Sequence, residues 1–208
     1  MPNGEWATPL TPIGVHCGFS RADCPVKLER LGKFELNKIT ATRGFRPKLN
    51  AFYLALVDIL QRRLDLTSVE TGRLVQTYEI FDLEGLGGHM LTLVALNFTR
   101  DVLMAFATHY PSSFRKAVII NAPEVFGFAW RFVSTVLPTS VTDKVNVLGH
   151  DYMGVLREDL TDEALYWVTA PCEALVHAPR RPGEAAGEAE AAPQIEGAVL
   201  AIKPSAGV

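Results

Sequence analysis

The sequence predicts an α/β fold built on a largely parallel sheet, and three observations carry the prediction. Strand-like and helix-like segments alternate along the first 160 residues, the pattern of consecutive β-α-β units. The run Val118-Ile119-Ile120 is continuously apolar, as in a strand covered on both faces. The chain has 208 residues, 48% of them hydrophobic, enough for one domain with a sizeable core.

Pro25 to Leu31 carries Val26, Leu28 and Leu31 among polar neighbours and reads as a short strand closed by Gly32. From Pro47, a residue suited to a first helical turn, Leu49, Phe52, Tyr53, Leu56, Ile59, Leu60 and Leu64 recur at helical spacing. Leu74 to Leu83 is the next strand, ending at Glu84-Gly85-Leu86-Gly87-Gly88. His89 to His109 follows as a helix, in one piece or two, until Pro111 stops it. Lys116 to Ala122 is a buried strand, Glu124 to Leu137 a helix, Lys144 to Leu148 a further strand and Asp151 to Leu160 a final helix. Residues 178–208 contain no aromatic residue and are dominated by Ala, Pro, Gly and Glu, so they are expected to form a disordered tail, with Ala198 to Ile202 as its one strand-like run.

Composition excludes several function classes. With 20 basic against 23 acidic residues, the chain lacks the positive field that holds nucleic acid. Cys17, Cys24 and Cys172 are too few and too scattered for a disulfide framework or a four-ligand zinc site, and read as reduced thiols. The first residues lack the charge-then-apolar pattern of a secretory signal, and no apolar run reaches the ~18 residues of a spanning helix. A cytoplasmic protein is expected. The nucleophile elbow, the P-loop, H-E-x-x-H and C-x-x-C are absent, and His16, His89, His109, His150 and His177 show no metal-like spacing. Gly85, Gly87 and Gly88 stand between a strand and a helix, but Met90 breaks the dinucleotide pattern. Neither an enzyme nor a metal site is expected.

The segment Glu124 to Leu137 is unusual. On a helical wheel Val125, Phe126, Phe128, Ala129, Trp130, Phe132, Val133, Val136 and Leu137 fill an arc of about 200°, leaving Arg131, Ser134 and Thr135 as the polar side. A helix lying on a soluble domain needs an apolar stripe of about 100° or somewhat more. The surplus fits either a helix buried on most sides or one that covers an apolar cavity with one face and meets a bilayer with another.

Five motifs occur in a fixed order. They are Cys24-Pro25-Val26-Lys27-Leu28-Glu29-Arg30-Leu31-Gly32-Lys33, Asp82-Leu83-Glu84-Gly85, Tyr110-Pro111, Ile119-Ile120-Asn121-Ala122-Pro123, and Lys144 to Gly149. In this order and spacing, over residues 12 to 160, the chain resembles the CRAL-TRIO lipid-binding family, to which the Sec-fourteen-like phosphatidylinositol transfer proteins belong. The resemblance implies a mixed, largely parallel sheet flanked by helices, forming an apolar pocket for one lipid, with Glu124 to Leu137 as a gate helix that opens at membranes. It implies a phospholipid, phosphatidylinositol foremost, or another small lipophilic molecule as ligand, no cofactor besides, and transient contact with intracellular membranes. The alternative is a membrane-associated scaffold or lipid-sensing fragment without transfer activity. Expected lining residues are Tyr78, Ile80, Leu93, Phe98, Phe106, Ile120, Phe126, Phe128, Trp130, Phe132 and Val133, each of which core packing would also explain. Tyr78 and Ile80 share one face of their strand, Thr77, Glu79 and Phe81 the other, and the residues alone leave open which face lines the pocket. An inward Glu79 would require a lipid hydroxyl or a basic partner. Gly127 and Phe128 occupy positions where phosphatidylcholine-binding relatives carry hydroxyls, which favours a bulkier apolar lining. The expected division is an extension over 1–11, the lipid-binding domain over 12–177 and the tail over 178–208, without the helical domain that precedes the pocket in family members.

Overall fold

The computed structural model describes residues 13–14, 16–35, 43–110 and 112–177; the expected extension, the tail and the Ala198–Ile202 strand lie outside them. Five strands form one sheet in the order β1-β2-β3-β4-β5: Ile13–Gly14, Val26–Glu29, Thr77–Asp82, Phe114–Ile120 and Val145–Val147. β1 is antiparallel to β2, and β2 to β5 run parallel. The sheet is therefore mixed and largely parallel. Helix α1 (Phe45–Thr71) joins β2 to β3, α2 (Leu93–His109) joins β3 to β4, and α3 (Phe126–Ser134) with the short α4 (Thr139–Thr142) joins β4 to β5. Strands added in sequence order through crossovers of one hand place these helices on one face of the sheet. After β5, helices α5 (Met153–Asp159) and α6 (Asp162–Thr169) cover the opposite face.

The strand periodicity of two assigns the side chains to these faces. Val26 and Leu28, Tyr78 and Ile80, and Val118 and Ile120 point to the α5–α6 side, where they pack with Leu156, Leu160, Ala164, Trp167 and Val168 into the main core. Lys27, Glu29, Glu79, Phe81, Ala117 and Ile119 point to the α1–α2–α3 side.

Most expected elements are present with shifted ends. α1 begins two residues before Pro47, which falls within the first turn, where a missing N–H costs no hydrogen bond. The His89–His109 segment divides into a 3₁₀ turn, Gly88–Met90, and α2. The gate segment is α-helical only over Phe126–Ser134, because its flanking turns wind tighter: Phe126, Gly127 and Phe128 donate to the carbonyls three residues back, as do Val136 and Leu137. One helix was not expected. The chain continues past Leu160 into α6, whose Thr161 hydroxyl accepts from the Ala164 N–H at 3.4 Å, with Asp162 and Glu163 in the first turn. The other end of α6 is closed by buried Arg30, whose Nη2 donates to the carbonyls of Trp167, Val168 and Ala170 at 3.2, 3.1 and 2.6 Å. A 3₁₀ turn, Cys172–His177, follows.

Four of the five motifs meet at one end of the sheet, the end where β2, β3, β4 and β5 finish. Asp82 Oδ1 accepts from the Glu84 N–H and from Asn121 Nδ2, both at 2.9 Å, so the second motif is tied to the fourth. A Cβ on Gly32 would lie 2.2 Å from the Glu84 carbonyl oxygen, which explains glycine after β2. Asn121, at φ 53°, turns the chain out of β4 toward α3 and hands its backbone N–H to the Gly149 carbonyl at 3.1 Å.

Candidate functional site

Between the sheet and helices α1, α2 and α3 lies an open cavity of about 870 Å³. Its floor is the strand face that carries Lys27, Glu29, Glu79, Phe81, Ala117 and Ile119. Leu49 and Tyr53 of α1, Val102 and Leu103 of α2, and Phe126, Ala129, Trp130 and Val133 of α3 form the walls. The lining is dominated by aliphatic and aromatic carbon, as expected of a site for a lipophilic molecule.

α3 has two apolar sides. Phe126 and Trp130, stacked at 6.5 Å, turn toward the cavity with the buried Ala129 and Val133. Val125, Phe128, Phe132 and Val136 lie outside, with Phe128 74% exposed. The surplus apolar arc of this segment is thereby resolved into one side over the cavity and another in solvent.

The residues expected to line a pocket divide into five groups. Phe126, Trp130 and Val133 line the cavity. Phe128 and Phe132 stand on the same helix but on its outer side. Tyr78, Ile80 and Ile120 are a correction: they belong to the opposite strand face and to the core beneath the sheet, and the Tyr78 hydroxyl donates to Asp159 at 2.6 Å there. Leu93 is a second correction, since it opens α2 with its side chain 72% exposed and outside the cavity lining. The side chains of Phe98 and Phe106 lie outside what the structure describes.

The floor contains polar groups that the sequence reading did not bring together. Lys27 and Glu79 are paired neighbours across β2 and β3, and Glu29 follows two residues along β2 on the same face. The Lys27 ammonium donates to Glu79 Oε2 at 2.7 Å and to Glu29 Oε1. Thr77 donates its hydroxyl to Glu79 Oε1 at 2.7 Å, and Tyr53 donates to Glu29 Oε2 at 3.4 Å. The Lys27 ammonium also stands 5.6 Å from the centre of the Phe81 ring. All three charged side chains are buried. Burial by itself lowers a lysine pKa, but the Glu29 and Glu79 carboxylates outweigh it and hold Lys27 above its ordinary value. Burial, then the Glu29 carboxylate, pushes Tyr53 well above the usual phenol range. Alternation of Lys27 and Glu29 with Val26 and Leu28 mimics a strand with one wet face, and only the register with Glu79 distinguishes the two cases.

Among the described residues no group of His, Cys, Asp and Glu side chains could hold a metal ion, and no helix is long and apolar enough to cross a membrane.

Comparison with known proteins follows the same direction. Residues 13–165 match the CRAL/TRIO domain. The phosphatidylinositol/phosphatidylcholine transfer protein SFH11 of Arabidopsis thaliana is 26% identical over 145 residues, 68% of this chain and 39% of that protein. The Sec14 cytosolic factor of Schizosaccharomyces pombe is 29% identical over 143 residues, 68% of this chain and 49% of that protein. The chain thus spans less than half the length of these relatives. The crystal structure of Sfh5 superimposes with a TM-score of 0.57 over 79% of this chain and 64% of that one, at 14% identity, and supports the fold.

Proposed function

The chain belongs to the CRAL/TRIO domain family, and from that premise we propose that it binds one lipid in the cavity and carries or presents it between membranes. The observation that bears most weight is the double-sided α3, which walls a cavity of about 870 Å³ with Phe126 and Trp130 and shows Phe128 and Phe132 to solvent. Cavities of about 300–1,000 Å³ suit small lipophilic ligands. Burying apolar area returns about 25 cal/mol per Å², which allows such a lining to compete with a bilayer for the same molecule. The outer aromatic side of α3 favours a membrane interface, where Trp and Phe gain by partial insertion. One relative named for phosphatidylinositol and phosphatidylcholine transfer, and another named a cytosolic factor, support a phospholipid, phosphatidylinositol foremost, and a cytoplasmic carrier that touches membranes peripherally. The reading requires no bond chemistry.

The double substitution Phe128→Asp, Phe132→Asp tests the reading without altering the cavity. Native mass spectrometry should still find one lipid per chain, while vesicle-to-vesicle transfer of labelled phospholipid falls about tenfold or more, the scale set by two apolar anchors. Unchanged transfer would remove α3 from the membrane contact. A folded wild-type chain that is empty, and stays empty with phosphatidylcholine and phosphatidylinositol vesicles, would replace the carrier with a membrane-associated scaffold.

A further inference from the structure

The cavity floor is the least lipid-like part of the site. A parallel sheet buried on both faces normally carries aliphatic side chains throughout. Here the row that crosses β2, β3, β4 and β5 on the cavity side reads Lys27, Glu79, Ala117 and Val145, with Glu29 one pleat along. One ammonium lies between two carboxylates, a formal charge of −1 among buried groups. Buried charge of this kind is costly unless hydrogen-bond donors surround it. The described donors are the Lys27 ammonium, the Thr77 hydroxyl and the Tyr53 hydroxyl at 3.4 Å, against four carboxylate oxygens that can each accept more than one hydrogen bond. The cluster therefore has acceptor capacity to spare, and its charged members line the cavity.

Resting on the reading of the cavity as a lipid pocket, we propose that Lys27, Glu29 and Glu79 determine its selectivity: the floor receives the end of a lipophile bearing a hydroxyl or a protonated amine, and rejects an end that is itself a free carboxylate or a phosphate monoester. A hydroxyl or ammonium adds a donor where acceptors are in excess. An anionic end group brings like charge to a net-negative floor at low dielectric, where repulsion is poorly screened. An alkyl end leaves the spare acceptors dry.

The test uses the full chain loaded with pyrene-labelled phosphatidylcholine, with displacement by 1-hexadecanol, hexadecylamine, hexadecanoate and hexadecane. The alcohol and the amine should displace the label at concentrations about tenfold or more below those required for hexadecanoate, with hexadecane also weaker than the alcohol. Glu79→Gln, which brings the formal charge to zero, should narrow the gap between alcohol and hexadecanoate to about threefold or less, with circular dichroism establishing that the variant is folded. The wild-type ranking decides the matter should the variant not fold. Hexadecanoate displacing as well as the alcohol, or a folded Glu79→Gln with the wild-type ranking, would overturn the proposal and leave the carrier reading intact. Failure of the label to load at all would overturn both.

Discussion

Lys27 shows how one side chain can matter to the fold and to the cavity at once. Its ammonium is the cation between Glu29 and Glu79, so Lys27→Met leaves two buried carboxylates without it and should destabilise the chain by about 3–5 kcal/mol, read as a lowered melting temperature. Replacing Lys27 and Glu79 together with Met should restore only part of that loss, because one buried carboxylate, Glu29, is still left without the ammonium it had. The pH dependence has a defined sign. Lys27 and Tyr53 titrate above their ordinary values of 10.5 and 10.0, and burial pushes the Cys17 thiol from 9.0 up to about 12. In each case the folded state holds its proton more tightly than the unfolded one, so the associated stability is complete below the unfolded pKa and is lost as pH rises through the folded value. Urea midpoints should fall progressively above about pH 9, and Cys17→Ala should shallow that fall between pH 9.0 and about 12. A midpoint unchanged between pH 8 and 11 would contradict this account.

At the scale of elements, the close crossing after β2 makes a sharp prediction. Gly32→Ala places a methyl group 2.2 Å from the backbone oxygen of Glu84, and backbone cannot yield as a side-chain tip does. A loss of about 1–3 kcal/mol is expected in chemical denaturation, while Gly127→Ala, with open space around it, should be tolerated far better. Elements of this kind were legible in the sequence wherever a period was clean. The helix from Pro47, the Val118-Ile119-Ile120 strand and the apolar excess on α3 all follow from spacing, and all are present. The cavity-facing side of β3 was not legible, because Tyr78 and Ile80 on one side and Thr77 and Glu79 on the other are all buried, and burial on both faces erases the polarity signal of alternation. Tyr78, Ile80 and Ile120, named among the expected lining, are instead what α5 and α6 require beneath the sheet. α6 escaped for a different reason: its cap, Thr161, follows Leu160 directly, so the end of one helix and the start of the next are adjacent in sequence.

At the scale of the whole molecule, the sheet divides the structure into a dense half and a hollow half. Below it, fully buried Leu28, Ile80, Val118, Ile120, Leu156 and Leu160 form a continuous core, while above it the helices enclose about 870 Å³. Helices over a cavity have fewer apolar contacts to lose when they open, so they belong to the less stable end of the molecule. Hydrogen exchange of the empty chain should be slowest in β3, β4 and α6 and faster in α2 and α3. A ligand that binds only the folded state raises stability by about 2.7 kcal/mol at a hundredfold excess over its Kd. Loading with phospholipid should therefore slow exchange in α3 most and leave α6 little changed; uniform slowing would show that the two halves open together.

The paired row on the cavity floor bears on how the chain assembles. Parallel neighbours have no hairpin turn to align them, and β2 reaches β3 only through a 27-residue helix. A slip of one residue would set Lys27 beside Tyr78 or Ile80, leaving an ammonium against the wrong face. The Lys27–Glu79 pair thus acts as a proofreading mark for strand alignment, since the correct pairing places opposite charges side by side. Drift at the floor toward a different cargo is then constrained twice, once by what the cavity holds and once by whether its two central strands still find each other in step.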